Sequence, residues 1–186
     1  SIPFHELVPL TTIAWDLLRV LKCDVCEVAE LTAISENCQH LTTLHLQFQY
    51  PPTVASLERL CGVNSSSLLH LRLTGDVPLE AQIHTCTMCV NLITFNCAHH
   101  LTICLIADAS PIIQTLWDCC PSIRVVELED ITATVVRDSV GRKVLELDIE
   151  PTDTEYLDLV LVGIPVRVRR CKLRLLDEAV AASALD

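Results

Sequence analysis

The sequence predicts an α/β fold made of repeated strand-loop-helix units, on three observations. A short leucine pattern recurs along the chain, apolar residues at helical spacing lie between its copies, and the core must be aliphatic. Leucine accounts for 30 of the 186 residues, while aromatic residues are only 4%. Hydrophobic residues make up 51% and charged residues 20%, which excludes an intrinsically disordered chain. The length suits one domain with a sizeable core.

The recurring pattern is Cys or Ser, two residues, an apolar residue, two residues, and then an apolar pair separated by one residue. Its four clear copies span residues 38–46, 65–73, 89–97 and 120–128. Alternate side chains of a strand point to the same face, so each pair gives one apolar face to a short strand. Weaker fifth and sixth copies end on Leu145-Glu146-Leu147 and Leu173-Arg174-Leu175.

Apolar residues spaced three or four apart lie between the copies and predict helices with one apolar stripe each. The stripes are Val54, Leu57, Leu60 and Cys61; then Leu79, Ile83, Cys86 and Val90; then Ile112, Ile113, Leu116, Trp117 and Cys120. Pro52, Pro78 and Pro111 are expected just ahead of these helices or in their first turns, where a missing N–H costs nothing.

The two ends of the chain differ from the repeated part. Residues 1–37 are predicted to be an N-terminal helical cap of one or two helices, because a stack of repeats must cover its terminal face. Its apolar positions are Ile13, Leu17, Val20, Leu21, Val25, Ala29 and Ile34. Residues 38–176 hold the repeats, and residues 177–186 are predicted to form a final helix or tail.

The recurring pattern, with helices predicted between its copies, resembles the leucine-rich repeat family. It is most similar to the cysteine-containing type with helices on the outer face, as in F-box substrate receptors. The resemblance covers roughly residues 20–176. It implies a solenoid in a short arc, with about five to six irregular units and a parallel sheet on the concave face. An ordinary α/β domain with accidental periodicity is the alternative.

Cysteine usage indicates the compartment. The eleven cysteines are an odd number, and most lie in apolar periodic stretches, so they are predicted to be reduced packing residues of an intracellular protein in the cytoplasm, the nucleus or an organelle. The triplet Asn64-Ser65-Ser66 matches a glycosylation acceptor, which has meaning only in a secreted protein, and we discount it.

Two cysteine clusters could carry chemistry. Cys86, Cys89, Cys97 and His99-His100 have residue types and spacing that suit tetrahedral zinc, but the repeat already explains the cysteines as core positions. Cys23 and Cys26 form a C-x-x-C pair without the strand expected before a redox motif. Glycine-rich phosphate loops and hydrolase motifs do not occur in the sequence. We therefore expect no enzyme activity, no cofactor and no metal, with zinc as the open alternative.

The longest uninterrupted apolar run, residues 159–166, is far shorter than the roughly 18 residues that cross a bilayer. No membrane span is therefore expected. The formal net charge of −11 argues against general nucleic-acid binding. Basic residues nevertheless cluster near the end of the chain, at Arg167, Arg169, Arg170, Lys172 and Arg174. Because the alternation changes phase at Arg169-Arg170, the segment is predicted to be a bulged edge strand or two short strands.

The resemblance implies that side chains between and beside the apolar strand positions form a partner-binding inner face. Besides the basic cluster, the candidates are His45, His70, Arg72, Asn96, Glu127, Glu129, Glu146 and Asp148. The alternative is that they are solvated strand residues. For the basic cluster, the alternatives are protection of a sheet edge or contact with RNA phosphates.

The sequence thus predicts a non-catalytic protein-protein interaction module, a scaffold or adaptor subunit of a larger intracellular complex. It would bind a protein partner through the concave face and through the basic edge, which is the sheet edge that carries the basic cluster. It would have no small-molecule substrate. The alternative is the substrate-recognition part of a ubiquitin-ligase receptor of the F-box and leucine-rich-repeat type.

Overall fold

The computed structural model describes residues 2–3, 15–25, 28–98, 106–128, 131–149 and 161–171. These residues form one nine-stranded sheet whose strand order follows the chain. The strands are β1 (Ile2–Pro3), β2 (Val20–Val25), β3 (Thr43–Phe48), β4 (His70–Thr74), β5 (Thr94–Ala98), β6 (Val125–Leu128), β7 (Ile131–Arg137), β8 (Lys143–Ile149) and β9 (Val166–Cys171). The helices are α1 (Val28–Asn37), α2 (Val54–Asn64), α3 (Leu79–Met88) and α4 (Ile106–Cys119), and a short 3₁₀ turn spans Trp15–Leu17.

Strands β1 to β6 are parallel, and one helix connects each strand from β2 to β5 with the next. The helices pack side by side in chain order, α1 on α2, α2 on α3 and α3 on α4. Their apolar stripes and one face of the sheet enclose a single elongated core. The fold is therefore α/β with a mostly parallel sheet, an arrangement compatible with a solenoid-like arc.

The strand register aligns the four clear copies of the repeat. The first position of each apolar pair forms one row across the sheet, and the second position forms the next row. The first row is Leu44, Leu71, Phe95 and Val126, and the second is Leu46, Leu73, Cys97 and Leu128. All eight side chains are buried in the core. The four predicted strands are confirmed.

The three predicted helices are also confirmed, with two local corrections. Thr53 caps α2 by accepting a hydrogen bond from the Ser56 N–H at 3.2 Å, and Pro78 is the N-cap residue of α3. Pro111, however, lies inside α4 rather than in its first turn. Val90, assigned to the stripe of α3, lies beyond the end of that helix and is exposed.

The helical interpretation of residues 20–25 is wrong. This segment is strand β2, which pairs with β3 over its whole length. Its side chains alternate between buried Leu21, Cys23 and Val25 and the opposite face, which is the pattern of a half-buried strand. Residues 28–37 do form a helix, α1, which includes Ala29 and Ile34. The remainder of the predicted cap is described only at residues 2–3 and 15–19.

The expectation of a uniformly parallel sheet is wrong after β6. Strand β7, which the sequence did not predict, pairs antiparallel with both β6 and β8, and β9 then returns parallel to β8. The fifth copy's Leu145 and Leu147 are buried strand residues as predicted, but in β8. The short connection from β6 fits a hairpin, because a parallel crossover takes a dozen or more residues. The sixth copy and residues 177–186 lie outside the described residues.

Within the described ranges, no helix has the length and apolar character needed to cross a bilayer.

Candidate functional site

The sheet face turned away from the helices carries polar side chains in a row set by the strand register. Over β2 to β6 this row consists of Lys22, His45, Arg72, Asn96 and Glu127. Neighbouring strands are about 4.8 Å apart, so side chains in one row are direct neighbours. We call these five residues the polar row.

The polar row borders a shallow depression of about 240 Å³ on the sheet. His70 and Thr94, in the adjacent row, complete one side of it. The sequence-predicted residues His45, His70, Arg72, Asn96 and Glu127 are thus brought together around one feature.

Hydrogen bonds order the middle of the depression. His70 Nδ1 and Thr94 Oγ1 are hydrogen-bonded at 2.9 Å across β4 and β5. The Asn96 amide Nδ2 donates to Glu127 Oε2. Asn96 Oδ1 is buried and has no hydrogen-bond partner among the described residues. The two hydrogen bonds therefore fix the side chains of His70, Thr94 and Asn96.

Charge is distributed unevenly along the face. Lys22 and Arg72 flank His45 and form no ion pair with any described residue. On the far side of Asn96, Glu127 is followed on β8 by Glu146 and Asp148. The part of the face over β2 to β4 is therefore basic, and the part over β6 to β8 is acidic.

The pKa of His45 is lowered from its usual value. Desolvation by burial is the main cause, and the neighbouring charges of Arg72 and Lys22 also lower it, while Asp24 opposes the shift. The imidazole is held in its neutral form at neutral pH, in part because it lies between two cations. A bound anion would reverse this effect, because an opposite charge favours the protonated form.

Of the two forms predicted for the basic cluster, a bulged edge strand and two short strands, the structure has the bulged edge strand. Val168 pairs with Leu147 and Arg170 with Asp148, so Arg169 is the extra residue of a β-bulge, as predicted. Arg167 Nη1 lies 3.3 Å from Glu146 Oε1, so the predicted basic edge and acidic centre partly pair with each other. Glu129, Lys172, Arg174 and the side chain of Arg170 lie outside the described residues.

The eight cysteines whose side chains are described are free thiols, and all of them except Cys119 are buried. Cys86, Cys89 and Cys97 belong to the apolar core, and burial raises the pKa of Cys86. For Cys89, a hydrogen bond with Cys61 is the main cause of a raised pKa. Metals bind the thiolate, which these environments disfavour. No group of three His, Cys, Asp or Glu suited to a metal occurs in the described part, which does not include His99 and His100.

Sequence reasoning missed several residues of this face, among them Lys22 on β2 and Thr132 and Thr134 on β7. The segment Val20-Leu21-Lys22-Cys23-Asp24-Val25 alternates from residue 21 onward, and this period of two could have identified β2.

Comparison with protein-family models, with curated proteins and with solved structures finds no match to this chain.

Proposed function

We propose that the chain is a non-catalytic protein-interaction module built as a leucine-rich-repeat-type solenoid, serving as a subunit or adaptor of an assembly in a reducing intracellular compartment. The observation that carries the proposal is the polar row, in which five consecutive strands each present one polar side chain on the same line. Such a line across a rigid sheet suits an extended partner segment.

Two further features support this proposal. The alignment of all four clear repeat copies in one parallel sheet is what a solenoid requires, since each unit packs only on its neighbours. Seven buried free thiols in the described part fit a protein that folds where cysteines stay reduced.

The charge distribution defines the partner's chemistry. Carboxylates of the partner would lie over Lys22, His45 and Arg72, and a basic side chain would lie near Glu127. Complementary potentials of this kind select partners and accelerate encounter. We therefore expect a protein segment that is acidic at one end and basic at the other.

The test is affinity purification of the tagged protein from its own cells, followed by calorimetry with the purified partner. The decisive variant carries Arg72→Glu and Glu127→Lys, which reverses one basic and one acidic charge of the polar row without changing the net charge. We expect the partner's affinity to fall about tenfold or more, because charged anchors at an interface centre carry much of the binding energy.

The matched control carries Glu58→Lys and Arg59→Glu on α2, where both residues are exposed and far from the sheet face. It makes the same charge exchange on the helical side and should bind the partner normally. Equal affinity of all three proteins for the partner would refute the role of the polar row. Recovery of RNA in place of a protein would refute the proposal that the partner is a protein.

A further inference from the structure

A second depression, of about 500 Å³, lies between the turn that precedes β6 and the β7–β8 hairpin. It shares no lining residue with the depression beside the polar row. Its size falls in the range of about 300–1,000 Å³ that is typical of small-molecule sites.

The lining of this cleft contains three basic side chains and no acidic one. Arg124 comes from the turn before β6, and Arg137 and Lys143 come from the hairpin. Arg137 and Lys143 are direct partners in the antiparallel register. Like charges directly opposite each other destabilise a hairpin, so this pair carries a cost in the absence of a counterion.

Two of these cations are held in place without being neutralised. Arg137 Nη1 donates to the Gly141 carbonyl at 2.8 Å, and Lys143 Nζ lies 4.2 Å from the centre of the Trp117 ring. A carbonyl oxygen and an aromatic face orient a cation but leave its full positive charge. The third, Arg124, is exposed and forms no ion pair with any described residue.

The environment of Lys143 agrees with this picture. Its pKa is lowered, mainly by desolvation and further by Arg137, while Cys120 and Asp118 oppose the shift. The apolar side chains of Ile93, Ile123 and Val135 line the rest of the cleft. The cleft thus combines fixed positive charge with apolar surface.

We propose that this cleft binds a small organic anion whose carboxylate or phosphate group contacts Arg124, Arg137 and Lys143 and whose apolar body packs on Ile93 and Val135. The ligand would relieve the repulsion between the two hairpin cations. The proposal is independent of the polar row, so either can fail without the other.

The experiment is an NMR titration of the ¹⁵N-labelled protein with phenyl phosphate. We expect saturable shifts confined to amides around Ile123, Arg124 and Val136. Inorganic phosphate should bind about fivefold more weakly because it lacks the apolar body, and neutral benzyl alcohol should cause no shift there. The double variant Arg137→Gln and Lys143→Gln should lose about tenfold or more in affinity, since hydrogen bonds to charged groups are strong.

The control carries Arg19→Gln and Arg59→Gln, two exposed basic residues outside the cleft, and should bind phenyl phosphate as the native protein does. If the hairpin variant fails to fold, the exposed Arg124→Gln replaces it, with a smaller loss expected. Shifts that are absent, that map to the polar row, or that persist unchanged in the cleft variants would overturn the proposal. An equal loss in the control would also overturn it, since it would indicate attraction by overall charge alone.

Discussion

At the scale of single residues, Asn64 connects two units of the fold. It is the last residue of α2 and is 0% exposed. Its side chain accepts from the Leu41 N–H at 2.8 Å and donates to the carbonyls of Cys38 at 2.9 Å and Leu60 at 3.1 Å. Cys38 and Leu41, on either side of the turn before β3, are buried, and their backbone groups need such partners. Asn64, the asparagine of the triplet that matches a glycosylation acceptor, therefore has a structural role.

We expect Asn64→Ala to lower the free energy of unfolding by about 3 kcal/mol, because it leaves buried backbone groups without partners. Urea denaturation measures this loss. The matched control is Asn37→Ala at the same position of α1, where the side chain is exposed and donates only to the Ala33 carbonyl. That change should cost less than about 0.5 kcal/mol. Similar losses in the two variants would contradict the role assigned to Asn64.

Gly75 follows β4 with a φ of +111°, and a Cβ built there would lie 2.5 Å from the Phe48 carbonyl oxygen. We expect Gly75→Ala to cost more than about 2 kcal/mol, because backbone strain is added to a collision with main-chain atoms. Gly141 has a φ of +83° but no atom within 4 Å of its Cβ position, so a substitution there adds backbone strain without a collision. Gly141→Ala should cost only about 1 kcal/mol in the same denaturation assay. A smaller loss at Gly75 than at Gly141 would rule out the steric argument.

At the scale of elements, the turns from helix to strand are built around buried thiols. Cys38, Cys89 and Cys120 occupy the first position of their repeat copies, and all are fully buried. Cys120 Sγ donates to the Cys89 carbonyl at 3.3 Å, so the turn before β6 is hydrogen-bonded to the turn before β5. Cysteine suits this position because it packs as a small apolar residue and still offers a weak donor.

These thiols make stability fall at alkaline pH. Burial raises the pKa of Cys38 to about 11, and burial is also the main cause of the rise at Cys120 to about 11. Above the ordinary thiol pKa of 9.0, the unfolded chain releases protons that the folded chain retains. The contribution of these two thiols to the free energy of unfolding is therefore fully present below about pH 9 and is lost as the pH rises toward about 11.

We expect each of these two thiols to remove about 1 kcal/mol of unfolding free energy between about pH 8.5 and about pH 10. Urea denaturation under reducing conditions at both pH values tests this. Cys38→Ala should reduce the pH dependence by that amount. The same pH dependence in native and Cys38→Ala protein would contradict the assignment.

At the scale of the whole molecule, the two faces of the sheet differ in what they contribute to stability. Strand β4 illustrates the division, because Leu71 is 2% exposed in the core and the next residue, Arg72, is exposed on the polar row. The aliphatic face holds the stack together. The polar face can therefore change in sequence at little cost to folding.

We expect Leu71→Ala to lower the free energy of unfolding by about 3 kcal/mol through lost burial and a cavity. Arg72→Ala should change it by less than about 0.5 kcal/mol, since the side chain is exposed and unpaired among the described residues. Chemical denaturation of both variants checks this pair. A large loss for Arg72→Ala would show that the polar row serves folding rather than binding.

Much of this molecule follows from local periodicity. The apolar pairs at Leu44, Leu71, Phe95 and Val126 predicted their strands. The change of phase at Arg169-Arg170 predicted a bulged strand or two short strands, and the bulged strand is present. A period of two or of 3.6 residues is a property of the chain itself, because it records which face of an element must avoid water. The same argument would have recovered β2 from its alternation.

The sequence by itself therefore determined the α/β class, the aliphatic core and the candidates for the exposed strand face. Only the tertiary structure decided that Lys22 joins His45 and Arg72, that β7 turns back antiparallel, and that Arg137 and Lys143 share a cleft with Arg124. These outcomes depend on strand pairing and on packing between residues far apart in the chain. Their geometry is fixed when the units stack, and no local pattern encodes it.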